Sequence, residues 1–102
     1  MIVMGRKLDR ERPELAARFY AAFEKAKTLA YDDIQSDRGG FGVVYLRERM
    51  KEQRAAWGDP WKYGIKANRT TIDAFIKFNL DQGMIKNSLS TSDIFAATTL
   101  ET

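Results

Sequence analysis

Four residues of this 102-residue sequence stand close enough in the chain, and carry the right groups, to recognise a small molecule: Trp61, Tyr63, Asn68 and Arg69. An arginine presents a planar fork of donors that matches a carboxylate, and an asparagine both donates and accepts. Aromatic rings beside them would stack on a ligand ring. Together the four suit an aromatic dicarboxylate, and they are the candidate ligand-binding residues. A blander role competes for two of them, because Asn68 can bond a nearby backbone group and Arg69 can tie its segment to another helix.

Other constellations fail on their chemistry. Glu48 and Glu52 lie one helical turn apart, as paired catalytic carboxylates would, but among Arg47, Arg49, Lys51 and Arg54 they read as solvated charges with nothing to raise a pKa. Asp32, Asp33 and Asp37 lack the alternating oxygen ligands and distal glutamate of a calcium loop, so no metal is expected there. The run Arg38-Gly39-Gly40-Phe41-Gly42-Val43-Val44-Tyr45 looks like the glycine-rich loop over kinase phosphates, but Asp37 stands at the first glycine position. No Val-Ala-x-Lys, His-Arg-Asp or Asp-Phe-Gly sequence follows it, and a flexible turn is the better reading. The chain has no histidine and no cysteine. That removes the side chain best suited to acid–base work near neutral pH, the thiolate nucleophile and the disulfide. No catalytic residue, cofactor or metal is therefore assigned.

Composition sets the outer limits. Hydrophobic content of 44% with 30% charged residues is ordinary for a folded domain, and the length fits a single helical domain over 1–102. The net charge of +3 is spread through runs of alternating sign, Arg6 to Glu14 and Arg47 to Arg54, so no basic stripe points to nucleic acid. No stretch approaches membrane-spanning length, and the start MIVMGRK is too short for the apolar region of a signal peptide. A cytoplasmic protein is the expectation.

The elements that must position these residues are helical. The apolar spacing Leu15, Phe19, Ala22, Phe23, Ala26, Leu29, Ala30 predicts a helix from Pro13 to about Ile34. A loop follows over Gln35 to Gly42. Val43, Leu46, Met50, Gln53 and Trp57 mark one face of a second helix, Val43 to Trp57, closed by Gly58. Asp59-Pro60 has the form of a helix start, yet Gly64 interrupts, so the third helix opens either at Pro60 or after Gly64; Ile65 to Gln82 is the core prediction. Its inner face is Ile65, Ile72, Phe75, Ile76 and Leu80, and Gly83 stands at the left-handed C-terminal position. Ser90 and Asp93 have capping-box spacing ahead of a short last helix. Ile2 to Met4 is the one stretch with strand character. The fold class is mainly α: three principal helices, a short C-terminal one and a short N-terminal strand.

The order of features from Trp61 to Thr102, an aromatic-Tyr-Gly turn, Asn-Arg opening a helix, a glycine stop, a Ser/Thr-Ser-Asp cap and a Phe-Ala-x-Thr-Leu-Glu end, resembles the extreme C-terminus of the 4,5-dihydroxyphthalate decarboxylase family. The Pro13 to Leu29 helix is similar to the family's helix after the interlobe crossing strand. The chain departs from the family at Val44-Tyr45, where Pro-Trp is usual. The resemblance implies a bilobal fold like that of periplasmic substrate-binding proteins, with decarboxylation to protocatechuate or, in transporter-type relatives, solute capture between lobes. It also implies that the cleft is built mainly by lobes that precede this segment, so that the chain is inactive alone and meets an aromatic dicarboxylate only in their company. A stand-alone helical interaction module is the competing expectation. In either case the apolar surfaces around Phe19, Phe23, Phe75 and Phe78 are the expected interface, and a homodimer is the simplest closed way to bury them.

Overall fold

The computed structural model describes residues 2–36 and 42–102. It is mainly helical, with α1 over Arg6–Glu11, α2 over Glu14–Gln35, α3 over Leu46–Trp57, α4 over Arg69–Asp81 and the short α5 over Thr91–Ile94. A 3-10 turn, Ala97–Thr99, follows. The chain divides into two compact units: Met1–Tyr20 with Tyr63–Thr102, and Ala21–Lys62. Helix α2 contributes its first turns to the first unit and the rest to the second.

Several elements stand where the sequence puts them, for the expected reasons. Gly58 closes α3 at φ +74, its N–H donating to the Arg54 carbonyl. Gly83 closes α4 at φ +70, with the Met84 N–H reaching back to the Asn79 carbonyl at 2.9 Å, a left-handed stop that spares a β-carbon its steric penalty. Asp93 accepts both the main-chain N–H (2.8 Å) and the hydroxyl (2.5 Å) of Ser90, which starts α5.

Other expectations are corrected. Ile2 to Met4 is not a strand; no strand occurs among the described residues, and Ile2 and Val3 are exposed. Helix α1 was not foreseen, because Arg6–Glu11 holds a single apolar residue, Leu8, and so shows no periodicity. Helix α3 starts at Leu46 because Tyr45 sits in the left-handed region at φ 61, which halts helix propagation toward Val43. Asp59-Pro60 opens no helix. Its carboxylate takes the Trp61 N–H two residues on, at 3.0 Å, and makes a turn instead. Helix α4 begins at Arg69, not Ile65, since the Gly64–Asn68 backbone is engaged elsewhere. Of the expected loop over Gln35 to Gly42, Gln35 instead ends α2, and residues 37–41, with the cation candidate at Asp37 and the first half of the kinase-like run, fall outside the described residues.

The largest correction concerns which sides of the helices are covered. The second-helix face was to include Val43 and Trp57, yet both are exposed, and Met50 alone of that face is buried. In α4, Ile76 is buried with Ile72 and Leu80 half-buried, but Phe75 turns outward. The first turn of α2, Glu14 to Ala17, is half-buried on every side, and beyond it the half-buried and buried positions are Tyr20, Glu24, Lys27, Tyr31 and Ile34. These recur at three- and four-residue steps and so form one helical stripe. The apolar stripe through Phe19, Phe23, Ala26, Leu29 and Ala30 is exposed instead.

Candidate functional site

The second unit is organised on a cluster of polar and aromatic groups. Tyr31, buried on α2, donates its hydroxyl to Asp59 Oδ1 at 2.6 Å, while Lys27, one turn earlier, donates to Asp59 Oδ2 at 3.1 Å. Lys27 also donates to Glu24 Oε1 and to the Trp61 carbonyl, both at 3.2 Å. The Tyr31 ring stacks on Trp61, with centroids 5.8 Å apart, and the Arg54 guanidinium of α3 lies 4.3 Å from the Tyr31 ring centre. One tyrosine thus joins α2, α3 and the turn after Gly58, by stacking, cation–π attraction and a charged hydrogen bond.

These contacts fix protonation. The Tyr31 hydroxyl bond, against the opposing effect of burial, and then the Trp61 N–H and the Lys27 ammonium, hold the Asp59 carboxyl down from 3.8 to about 2. Burial and then the adjacent Asp59 carboxylate push the Tyr31 hydroxyl up. For Lys27, burial works downward, but its bonds to Asp59 and Glu24 outweigh it and the ammonium is pushed up. Near neutral pH Asp59 is therefore an anion and the other two keep their protons. A general base or nucleophile needs the reverse, a pKa brought toward the working pH, so this trio behaves as a clamp.

An open depression of about 550 Å³ lies over the clamp, lined by Glu24, Lys27, Thr28, Tyr31, Asp32, Arg54, Gly58 and Asp59. Three carboxylates face two cations there, and the Lys27 charge is already taken up by Glu24 and Asp59. An anionic ligand has little to gain in such a place. Among the described residues no three His, Cys, Asp or Glu side chains are grouped to hold a metal.

The four sequence-predicted ligand residues are divided between the units. Trp61 belongs to the second, stacked on Tyr31; Tyr63, Asn68 and Arg69 belong to the first. The Asn68 side-chain amide donates to the Gly64 carbonyl at 2.8 Å, and Arg69 pairs with Asp73 one turn on at 3.3 Å. Asn68 thus bonds a nearby backbone group, as its blander reading had it, whereas the Arg69 pair lies within α4 and is not a tie to another helix. Phe19, Phe23, Phe75 and Phe78 are all exposed. Glu48 and Glu52 pair with Arg47 and Arg49 on an exposed face.

Sequence reasoning missed Lys27, Tyr31, Arg54 and Asp59. A signal existed: Glu24, Lys27, Tyr31 and Ile34 repeat at helical spacing on the side of α2 away from the apolar stripe. No helix among the described residues is long and apolar enough to cross a membrane. No family model, curated protein or solved structure matches this chain.

Proposed function

We propose that this chain is a helical docking element without chemistry of its own, equivalent to the C-terminal helices of a bilobal solute-capturing protein of the 4,5-dihydroxyphthalate decarboxylase kind. The observation that carries the reading is the exposed apolar stripe of α2, Phe19 and Phe23 with Ala26, Leu29 and Ala30, together with Phe75 and Phe78 on α4. A soluble surface seldom leaves aligned rings in water unless another surface covers them.

Magnitudes favour lobes in the same polypeptide over a free partner. A fully buried phenylalanine is worth about 2 kcal/mol. The four rings are 53%, 46%, 67% and 59% exposed, so covering them returns roughly 4–5 kcal/mol in all. Association of separate molecules costs about 4–15 kcal/mol in lost freedom, which consumes that gain, whereas a covalently joined surface largely avoids the cost. Within this reading Tyr63, Asn68 and Arg69 border the lobes, and any contact with an aromatic dicarboxylate is made in their company.

The test joins the chain by a flexible linker to a decarboxylase-family bilobal protein truncated before its own C-terminal helices and follows protease protection. The expected result is protection of the joined helices that a Phe23→Glu/Phe75→Glu variant, with unchanged helical circular dichroism, loses. A symmetric dimer of the chain alone, abolished by the same variant, would replace the lobes by a second copy. Joined helices that are cleaved as fast as the chain alone would refute docking altogether.

A further inference from the structure

The turn between Trp61 and α4 is held by the far end of the sequence. The Lys66 N–H donates to the Thr102 carbonyl at 2.7 Å, and the Ile65 N–H donates to Thr102 Oγ1 at 3.3 Å. The Thr102 hydroxyl in turn donates to the Thr99 carbonyl at 2.7 Å, and Lys66 Nζ meets Glu101 Oε2 at 2.8 Å. Gly64, at φ +92, gives the room for this approach. A β-carbon there would stand 2.8 Å from the Thr102 carbonyl carbon and 3.3 Å from the Tyr20 hydroxyl. On its other side the same turn is closed by the Asn68 amide on the Gly64 carbonyl.

We propose that Thr99 to Thr102 form a releasable latch that clamps the Gly64–Asn68 turn and so positions Asn68 and Arg69 at the head of α4. Ile65 is buried, and a buried N–H without an acceptor is costly, so the tail supplies acceptors that the turn cannot provide for itself. Lys66 and Glu101 are largely exposed, 65% and 87% for their side chains. Their attraction is therefore screened by salt, and ionic strength can loosen the latch without melting the helices. Asn68 and Arg69 act here as positioned residues, while Gly64, Lys66, Glu101 and Thr102 position them.

Amide hydrogen exchange on the full chain tests this. In Lys66→Glu or Glu101→Lys the Ile65 and Lys66 amides are expected to exchange about 1.5- to fivefold faster, the range an exposed ion pair spans. The double charge swap should restore the parent rates. Gly64→Ala, which evicts Thr102, should speed both amides about tenfold or more and shift the Asn68 side-chain amide resonance, while the signals of Tyr31 and Met50 in the other unit stay in place. Equal exchange in the parent and in Gly64→Ala would overturn the latch. So would acceleration of every α4 amide to the same extent, which would mark unfolding of the unit, not release of a tail.

Discussion

Replacing Asp59 by alanine is the sharpest probe of the second unit. The substitution removes the acceptor of three bonds at once: from the Tyr31 hydroxyl, the Trp61 N–H and the Lys27 ammonium. Lys27 keeps Glu24 and the Trp61 carbonyl, so its charge is not stranded. Tyr31 is buried and loses the acceptor of its hydroxyl, at about 1–3 kcal/mol for an unsatisfied hydroxyl. A second route gives a similar figure. Lowering a carboxyl from 3.8 to about 2 corresponds to roughly 2 kcal/mol, and screening at a side chain 33% exposed reduces that to about 1–2 kcal/mol. We expect Asp59→Ala to lose about 2–3 kcal/mol, and Asp59→Asn, which keeps an acceptor but no charge, about half of that. Because the folded-state value is depressed, Asp59's contribution is complete above pH ~4 and is lost as pH falls toward about 2. Urea unfolding followed by Trp61 fluorescence in a Trp57→Phe background, between pH 2 and 7, measures both quantities. A loss below about 0.5 kcal/mol at pH 7 would refute the clamp. Parallel pH curves for parent and variant between pH 4 and 2 would do so equally.

Two further outcomes follow from burial. Ile76→Ala should cost about 2–4 kcal/mol by urea denaturation and Phe75→Ala, one residue away on the exposed side, less than about 1, reversing the order expected from side-chain size; equal losses would show that both rings and chains sit in one core. Ser90→Ala should cost about 0.5–2 kcal/mol and speed exchange of the amides of Thr91–Ile94, since it breaks the capping box that starts α5.

What the sequence made legible was whatever local rules decide. Gly58 and Gly83 stop helices because only a residue without a β-carbon takes their backbone angles cheaply, and Ser90 with Asp93 starts one by satisfying end groups. The starts of α3 and α4 were less legible, because each depends on a non-local or unusual feature: a left-handed tyrosine at 45, and a turn at 64–68 whose donors are taken by Thr102, more than thirty positions away. Helix α1 offered one apolar residue to read. Of the candidate ligand residues, Asn68 bonds a nearby backbone group as its type allows, while Arg69 pairs within its own helix with Asp73, not with another helix.

Helix α2 shows why periodicity alone picked the wrong side. Its apolar stripe and its Tyr20-Glu24-Lys27-Tyr31 stripe both repeat at helical spacing, so hydrophobic counting favours the first. Counting transfer energy, however, leaves out bonds that become available only when a specific partner arrives. Asp59 supplies one acceptor oxygen to Tyr31 and another to Lys27, and Trp61 covers the tyrosine ring, so the polar stripe is held by directional contacts that the apolar stripe lacks among the described residues. Non-directional apolar surface can then be satisfied by any matching face. That difference separates the two stripes: Glu24, Lys27 and Tyr31 fix the second unit internally, while Phe19 and Phe23 stay exposed, and it is on that exposure that the proposed docking rests.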